Sequence, residues 1–106
     1  MSRPIQALID LSALEHNLSV VRRHAPRSRV MAVVKADAYG HGLLRAAEAL
    51  GRVDGFAMLE MDAAVRLREA GYRQTILLLE GFFAIEELAW IEQYHSRTVI
   101  HHHDQL

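Results

Sequence analysis

Val30-Met31-Ala32-Val33-Val34 is an unbroken apolar run that stops at a charge, Lys35. A short run without alternation suits a strand buried on both faces, as in a parallel sheet covered by helices. Downstream, Gly55 to Leu59, Ile76 to Leu79 and Thr98 to Ile100 read as further strands. Between them, Leu43 to Leu50 closed by Gly51, Asp62 to Ala70 closed by Gly71, and Ala84 to Tyr94 read as helices. The glycines fit the left-handed residue that commonly ends a helix, and Glu86, Glu87 and Glu92 fall on the wet side of the last one. Strands beginning near 30, 55, 76 and 98 give an even beat of right-handed βαβ units. That beat fits an α/β fold, either a doubly wound sheet or a (β/α)8 barrel. A whole barrel needs about 250 residues, so this chain supplies about half of one.

Upstream, Ile5 to Leu11 reads as a short strand. Ser12-Ala13-Leu14-Glu15 has the form of a capping box, in which the Ser side chain accepts from the third helical amide and Glu reaches back. Leu14, Leu18 and Val21 come next at helical spacing, and Ala25-Pro26 stops the helix, because proline disfavours helical geometry at the residue before it. At the other end, Asp104-Gln105-Leu106 looks like a helix cap and first turn.

Composition narrows the function. The chain has 106 residues, with 12 Lys and Arg against 13 Asp and Glu, for a formal charge of -1. That balance argues against a nucleic-acid binder and removes the electrostatic case for an anionic membrane surface. With no cysteine, disulfides, thiolate chemistry and Cys-based metal sites are excluded. The half-apolar composition argues against a disordered tail. Met1-Ser2-Arg3-Pro4 begins without an apolar signal segment, and the longest apolar runs fall far short of the roughly 20 residues that span a bilayer. The expected location is cytoplasmic. Eleven of the basic residues are arginine and the single lysine is Lys35, so any lysine chemistry in this chain has one candidate.

In an α/β barrel, residues at the C-terminal ends of strands line the active site. A lysine rooted there can present a neutral amine to form a Schiff base. By position alone, a solvated charge at a strand end is the ordinary reading. The residues around it change that. Val34-Lys35-Ala36-Asp37-Ala38-Tyr39-Gly40-His41-Gly42 resembles, without a break, the pyridoxal-phosphate attachment motif of the alanine racemase family. Asp10-Leu11 with Glu15-His16-Asn17-Leu18 resembles that family's first strand and helix, and Leu78-Leu79-Glu80-Gly81-Phe82-Phe83 resembles a segment of its proteobacterial members.

The resemblance implies that residues 1–106 are the N-terminal part of a cofactor-binding barrel, with the rest of the barrel and a C-terminal β domain beyond them. It implies pyridoxal phosphate as cofactor, alanine as substrate, and interconversion of the L- and D-isomers by two bases in a homodimer. It makes Lys35 both the Schiff-base anchor and the base acting on the D-isomer, and Tyr39 the residue that hydrogen-bonds the cofactor phosphate. The second base, a tyrosine from the partner's C-terminal domain, lies outside these residues, so the 106-residue chain alone is expected to be inactive. Alternatives are a racemase of broader specificity, a non-catalytic pyridoxal-phosphate binding module, and an interaction fragment with no cofactor.

The remaining candidates have plainer readings. Gly40 and Gly42 let the loop turn sharply, and His41 is expected to fix the loop by a hydrogen bond. His101-His102-His103 invites a metal, but neighbours on a strand point to opposite faces and seldom converge on one ion. Arg22, Arg23, Arg27 and Arg29 read as a solvated helix end. Glu80 reads as a capping or loop-bonding residue.

Overall fold

The structure, a computed structural model, describes residues 4–106. Met1-Ser2-Arg3, part of the segment considered for a targeting signal, lies outside the described residues. Four strands, β1 (Met31–Val33), β2 (Gly55–Met58), β3 (Thr75–Leu78) and β4 (Arg97–Thr98), alternate with helices α1 (Leu11–His24), α2 (Lys35–Tyr39), α3 (Leu43–Ala49), α4 (Met61–Glu69) and α5 (Glu87–Gln93). A 3-10 turn, His103–Gln105, comes last. The strands are all parallel and lie side by side in chain order. A doubly wound sheet reverses its strand order at a switch point. This one never does, so the architecture is a partial (β/α)8 barrel. No helix among the described residues is long and apolar enough to cross a membrane.

Parallel register puts alternate residues in common rows. Ala32, Phe56 and Ile76 form one row, and Met58 pairs with Leu78 in another. Phe56, Met58, Ile76 and Leu78 are buried against the helices with Leu43, Ala47, Ala64 and Leu67. At about 25 cal/mol per Å², such side chains each contribute about 1.5–3 kcal/mol. Phe56 also meets Tyr72 edge to face, with centroids 5.7 Å apart and rings at 78°.

The opposite sheet face corrects one expectation. The Val30–Val34 run was expected to be covered on both sides, yet Met31 and Val33 are 40% and 41% exposed. In a closed barrel that face is filled by side chains from all the strands, and four strands leave it open. The radius of gyration agrees: 15.6 Å, against about 13 Å for a compact domain of this size.

The N-terminal segment corrects two more. Residues 5–10 form no strand, and Ile5 and Leu8 are 85% and 88% exposed. Their alternation is poor, and they find no face on which to bury. Helix α1 is capped by Asp10 rather than Ser12. The Asp10 carboxylate accepts from the Ala13 amide at 3.2 Å and from the Ser12 hydroxyl at 2.6 Å. A carboxylate is the stronger acceptor, and it draws the helix start ahead of Ser12. Those bonds, the Ser12 hydroxyl first, hold the Asp10 carboxyl below its ordinary pKa. The helix stops as expected, with the Ala25 amide bonded to the Val21 carbonyl just before Pro26. Helix α5 is shorter than the expected Ala84–Tyr94, its first residues turning before the helix begins.

Candidate functional site

Lys35 lies two residues past the last residue of β1, and the intervening Val34 amide still bonds the Ala57 carbonyl of β2 at 2.8 Å. The amine is thus rooted on the last rung of the sheet, at the C-terminal end of a parallel strand. Residues 36–39, expected to be a polar loop, instead form a left-handed helical turn. Ala36, Asp37, Ala38 and Tyr39 have φ of 52°, 55°, 55° and 57°, with ψ of 51°, 44° and 47° at the first three. L-residues avoid this region at about 1–2 kcal/mol each, so four in succession represent about 4–8 kcal/mol that other contacts must offset. The sequence shows how. Asp is among the few types that tolerate the region, and Ala38 gains burial in the core in return. Tyr39 has no such excuse, which marks it as the outlier. Strain of this kind clusters where function demands a fixed geometry.

A dense set of bonds closes the turn. The Ala38 amide donates to Val34 (3.0 Å), Gly40 to Ala36 (3.0 Å) and Gly42 to Asp37 (2.9 Å), all at backbone carbonyls. His41 adds its own amide and its ring Nδ1, both to the Ala38 carbonyl, the latter at 2.9 Å. That is the loop-fixing bond expected of it, and the carbonyl partner means Nδ1 carries the proton. Gly42 sits at φ 94°, a backbone conformation that would strain any residue with a Cβ.

Lys35 is half-buried on the wall of a cleft of about 500 Å³. Val34, Met58 and Leu43 supply apolar wall, and Asp37, Glu60 and Arg66 supply charge. This size falls within the range typical of small-molecule sites, about 300–1,000 Å³. Tyr39 is not part of the wall. It stands at the far end of the turn, 59% exposed. The structure therefore puts the two expected site residues on one short segment, with only Lys35 in the cleft.

Other expectations resolve into structural roles. His101 bonds the Glu80 carbonyl through Nε2 at 2.9 Å, and His102 Nδ1 accepts from the Asp104 amide at 3.2 Å. Among the described residues no group of three or more His, Cys, Asp or Glu is placed to hold a metal. The Glu80 partner in that bond is its backbone carbonyl, so the bond does not depend on the Glu80 carboxylate. Arg22 is more than a solvated helix end, since it reaches the Arg52 carbonyl and pairs with Asp54 at 3.5 Å. Asp54 in turn accepts from the Val30 amide at 2.7 Å, and this bond above all holds its carboxyl below the ordinary range.

Asp37 escaped the sequence reading. Its carboxylate accepts from the Leu43 amide at 2.8 Å, at the start of α3. An acidic residue six positions before a helix start has no recognised capping pattern, because the left-handed turn is what brings the two together.

A family model described as "Alanine racemase, N-terminal domain" matches residues 9–106. The alanine racemase of Nitrosospira multiformis is 79% identical over the whole of this chain, which covers 30% of that relative. Among solved structures, alanine racemase from Acinetobacter baumannii superposes with a TM-score of 0.87 at 36% identity, over 92% of this chain and 29% of that one. The biosynthetic alanine racemase from Pseudomonas aeruginosa gives 0.86 at 41%, over 92% and 27%. The chain thus spans about 30% of the length of the curated relatives it matches.

Proposed function

The chain belongs to the alanine racemase N-terminal domain family, and from that premise we propose that it is the N-terminal part of the cofactor barrel of a pyridoxal-phosphate enzyme that interconverts L- and D-alanine. The observation that carries this reading is the position of Lys35. The chain's only lysine stands on the C-terminal rim of β1, on a cleft wall, at the root of a strained turn. The residues fit the cofactor by their chemistry. A primary amine suits its aldehyde, and the exposed Tyr39 hydroxyl, on the same turn, suits its phosphate. The Lys35 cleft is lined by Asp37, Glu60 and Asp62 together with Arg66.

When bound, pyridoxal phosphate supplies an electron sink for the charge left on the α-carbon. The protein's share is position and proton transfer. Lys35 Nζ holds the cofactor between turnovers. With its amine free, Lys35 would serve as the base that removes or returns the α-proton on the face of the D-isomer. A second base, a tyrosine from the partner in a cytoplasmic homodimer, serves the opposite face. One proton leaves and one returns, so no redox partner is needed.

The test is turnover by the full-length enzyme. L-alanine should give D-alanine, with deuterium entering at the α-carbon in heavy water. Faster turnover of lysine, arginine or serine would favour the broad-specificity alternative, and a labelled Lys35 without turnover a binding module. The purified 106-residue chain is expected to show no racemisation, and measurable turnover by it would contradict the two-base assignment. Tyr39→Phe removes one hydrogen bond to a charged group, about 1.5–3 kcal/mol. Cofactor affinity should fall by about 10- to 100-fold, read by equilibrium titration, and unchanged affinity would remove Tyr39 from the phosphate site.

A further inference from the structure

We infer that Asp37 is a positioning residue whose carboxylate locks the hand of the left-handed turn and thereby sets where the Lys35 amine stands; this rests on the reading that Lys35 holds the cofactor. Three amides converge on Asp37. Its carbonyl accepts from Gly40 at 3.2 Å and Gly42 at 2.9 Å, and its Oδ1 accepts from Leu43 at 2.8 Å. The first bond lies within the turn, and the second reaches Gly42, the N-cap of α3, through the backbone that any residue would supply. The third is made by the side chain and reaches the first residue of α3 itself. Leu43 is only 2% exposed and belongs to the core that holds Val34 and Met58. The carboxylate therefore ties a strained segment to a rigid one. Ala38 packs into the same core, but no side chain of the turn other than Asp37 makes a hydrogen bond that opposes the tendency of Ala36, Ala38 and Tyr39 to leave the left-handed region. Lys35 roots this segment and Tyr39 ends it, so relaxation of the turn would move both.

Asp37 also shares the cleft wall with Lys35, which raises a second way it could act, through its charge. The two roles separate cleanly. Asn tolerates left-handed geometry as Asp does and keeps an Oδ1 acceptor, but carries no charge. Ala keeps neither the acceptor nor the tolerance.

The experiment compares wild type, Asp37→Ala and Asp37→Asn in the full-length enzyme. Amide exchange at Gly42 and Leu43 is followed in the cofactor-free protein, and the rate of pyridoxal-phosphate labelling of Lys35 is measured by borohydride trapping. In D37A, exchange should quicken and labelling should slow, each by about tenfold, the effect of losing one cap-type bond. D37N should stay within about threefold of wild type on both. Labelling of D37A at the wild-type rate, or of D37N as slowly as D37A, overturns the inference. Should D37A not fold, Asp37→Gly, which keeps the left-handed tolerance but not the acceptor, takes its place: quicker exchange with slower labelling supports the lock, and wild-type rates overturn it. If wild-type Lys35 takes no label, the cofactor reading fails, and the exchange comparison still judges the lock.

Discussion

Replacing Lys35 by alanine in the full-length enzyme is expected to lower kcat/KM for alanine by about four orders of magnitude, while leaving the fold intact. The size reflects two losses. A positioned general base is worth about 10²–10⁴-fold by itself, and the covalent hold on the cofactor goes with the same atom. The intact fold reflects what Lys35 does not do. Among the described residues its amine enters no hydrogen bond or ion pair, and it is half-buried at the edge of the core. A substitution of that kind changes stability by no more than about 0.5 kcal/mol. Steady-state kinetics and denaturant unfolding read the two halves independently. A K35A enzyme with more than a hundredth of wild-type activity would remove Lys35 from the chemistry.

Arg68 predicts the opposite pattern. On α4, its guanidinium donates to four backbone carbonyls: Nε to Tyr94 at 2.8 Å, Nη1 to Tyr72 at 3.0 Å and Gln74 at 2.7 Å, and Nη2 to His95 at 3.1 Å. One side chain thus staples the loop after α4 to the loop after α5. Burial first, and then the Arg73 charge, lower its pKa, and with only carbonyls as partners it stays charged. His95 sits at φ 54°, another strained position held by this contact. Arg68→Ala leaves several half-buried carbonyls without their donor, and the expected cost is about 2–4 kcal/mol. Arg68→Lys should recover little, because an ammonium cannot reproduce the planar fork. The readout is the urea midpoint, with faster amide exchange around Ser96. A loss below about 0.5 kcal/mol in the alanine variant would mean that solvent replaces the staple.

These two residues also show what could be read from sequence. Lys35 was legible because its information is local: an apolar run, a charge, and a nine-residue motif around it. The strands were legible for the same reason, their apolar blocks recurring at an even spacing, although that spacing alone left two sheet orders open; the resemblance implied the barrel, and β1 to β4 never reverse, as a barrel requires. Arg68 was illegible. Two of its bonds join residues 26 and 27 positions apart, and nothing in an arginine on a helix foretells a set of carbonyl partners. The left-handed turn was illegible because propensity weighs residues one at a time, and none of Ala, Asp, Ala and Tyr prefers that geometry. It exists through bonds the turn itself creates. The N-terminal strand failed for a related reason. Apolar side chains suggest burial, but Ile5 and Leu8 have no surface to bury against. Ser12 lost the cap to Asp10, a competition between two acceptors two residues apart.

The proposed chemistry depends on one amine. Full-length protein saturated with pyridoxal phosphate, reduced with borohydride and digested with trypsin should yield the cofactor on a single peptide from Val30 to Arg45, uncut at Lys35 because a modified lysine resists the protease. Folded, cofactor-saturated protein in which that peptide is cleaved at Lys35 and carries no label would contradict the assignment.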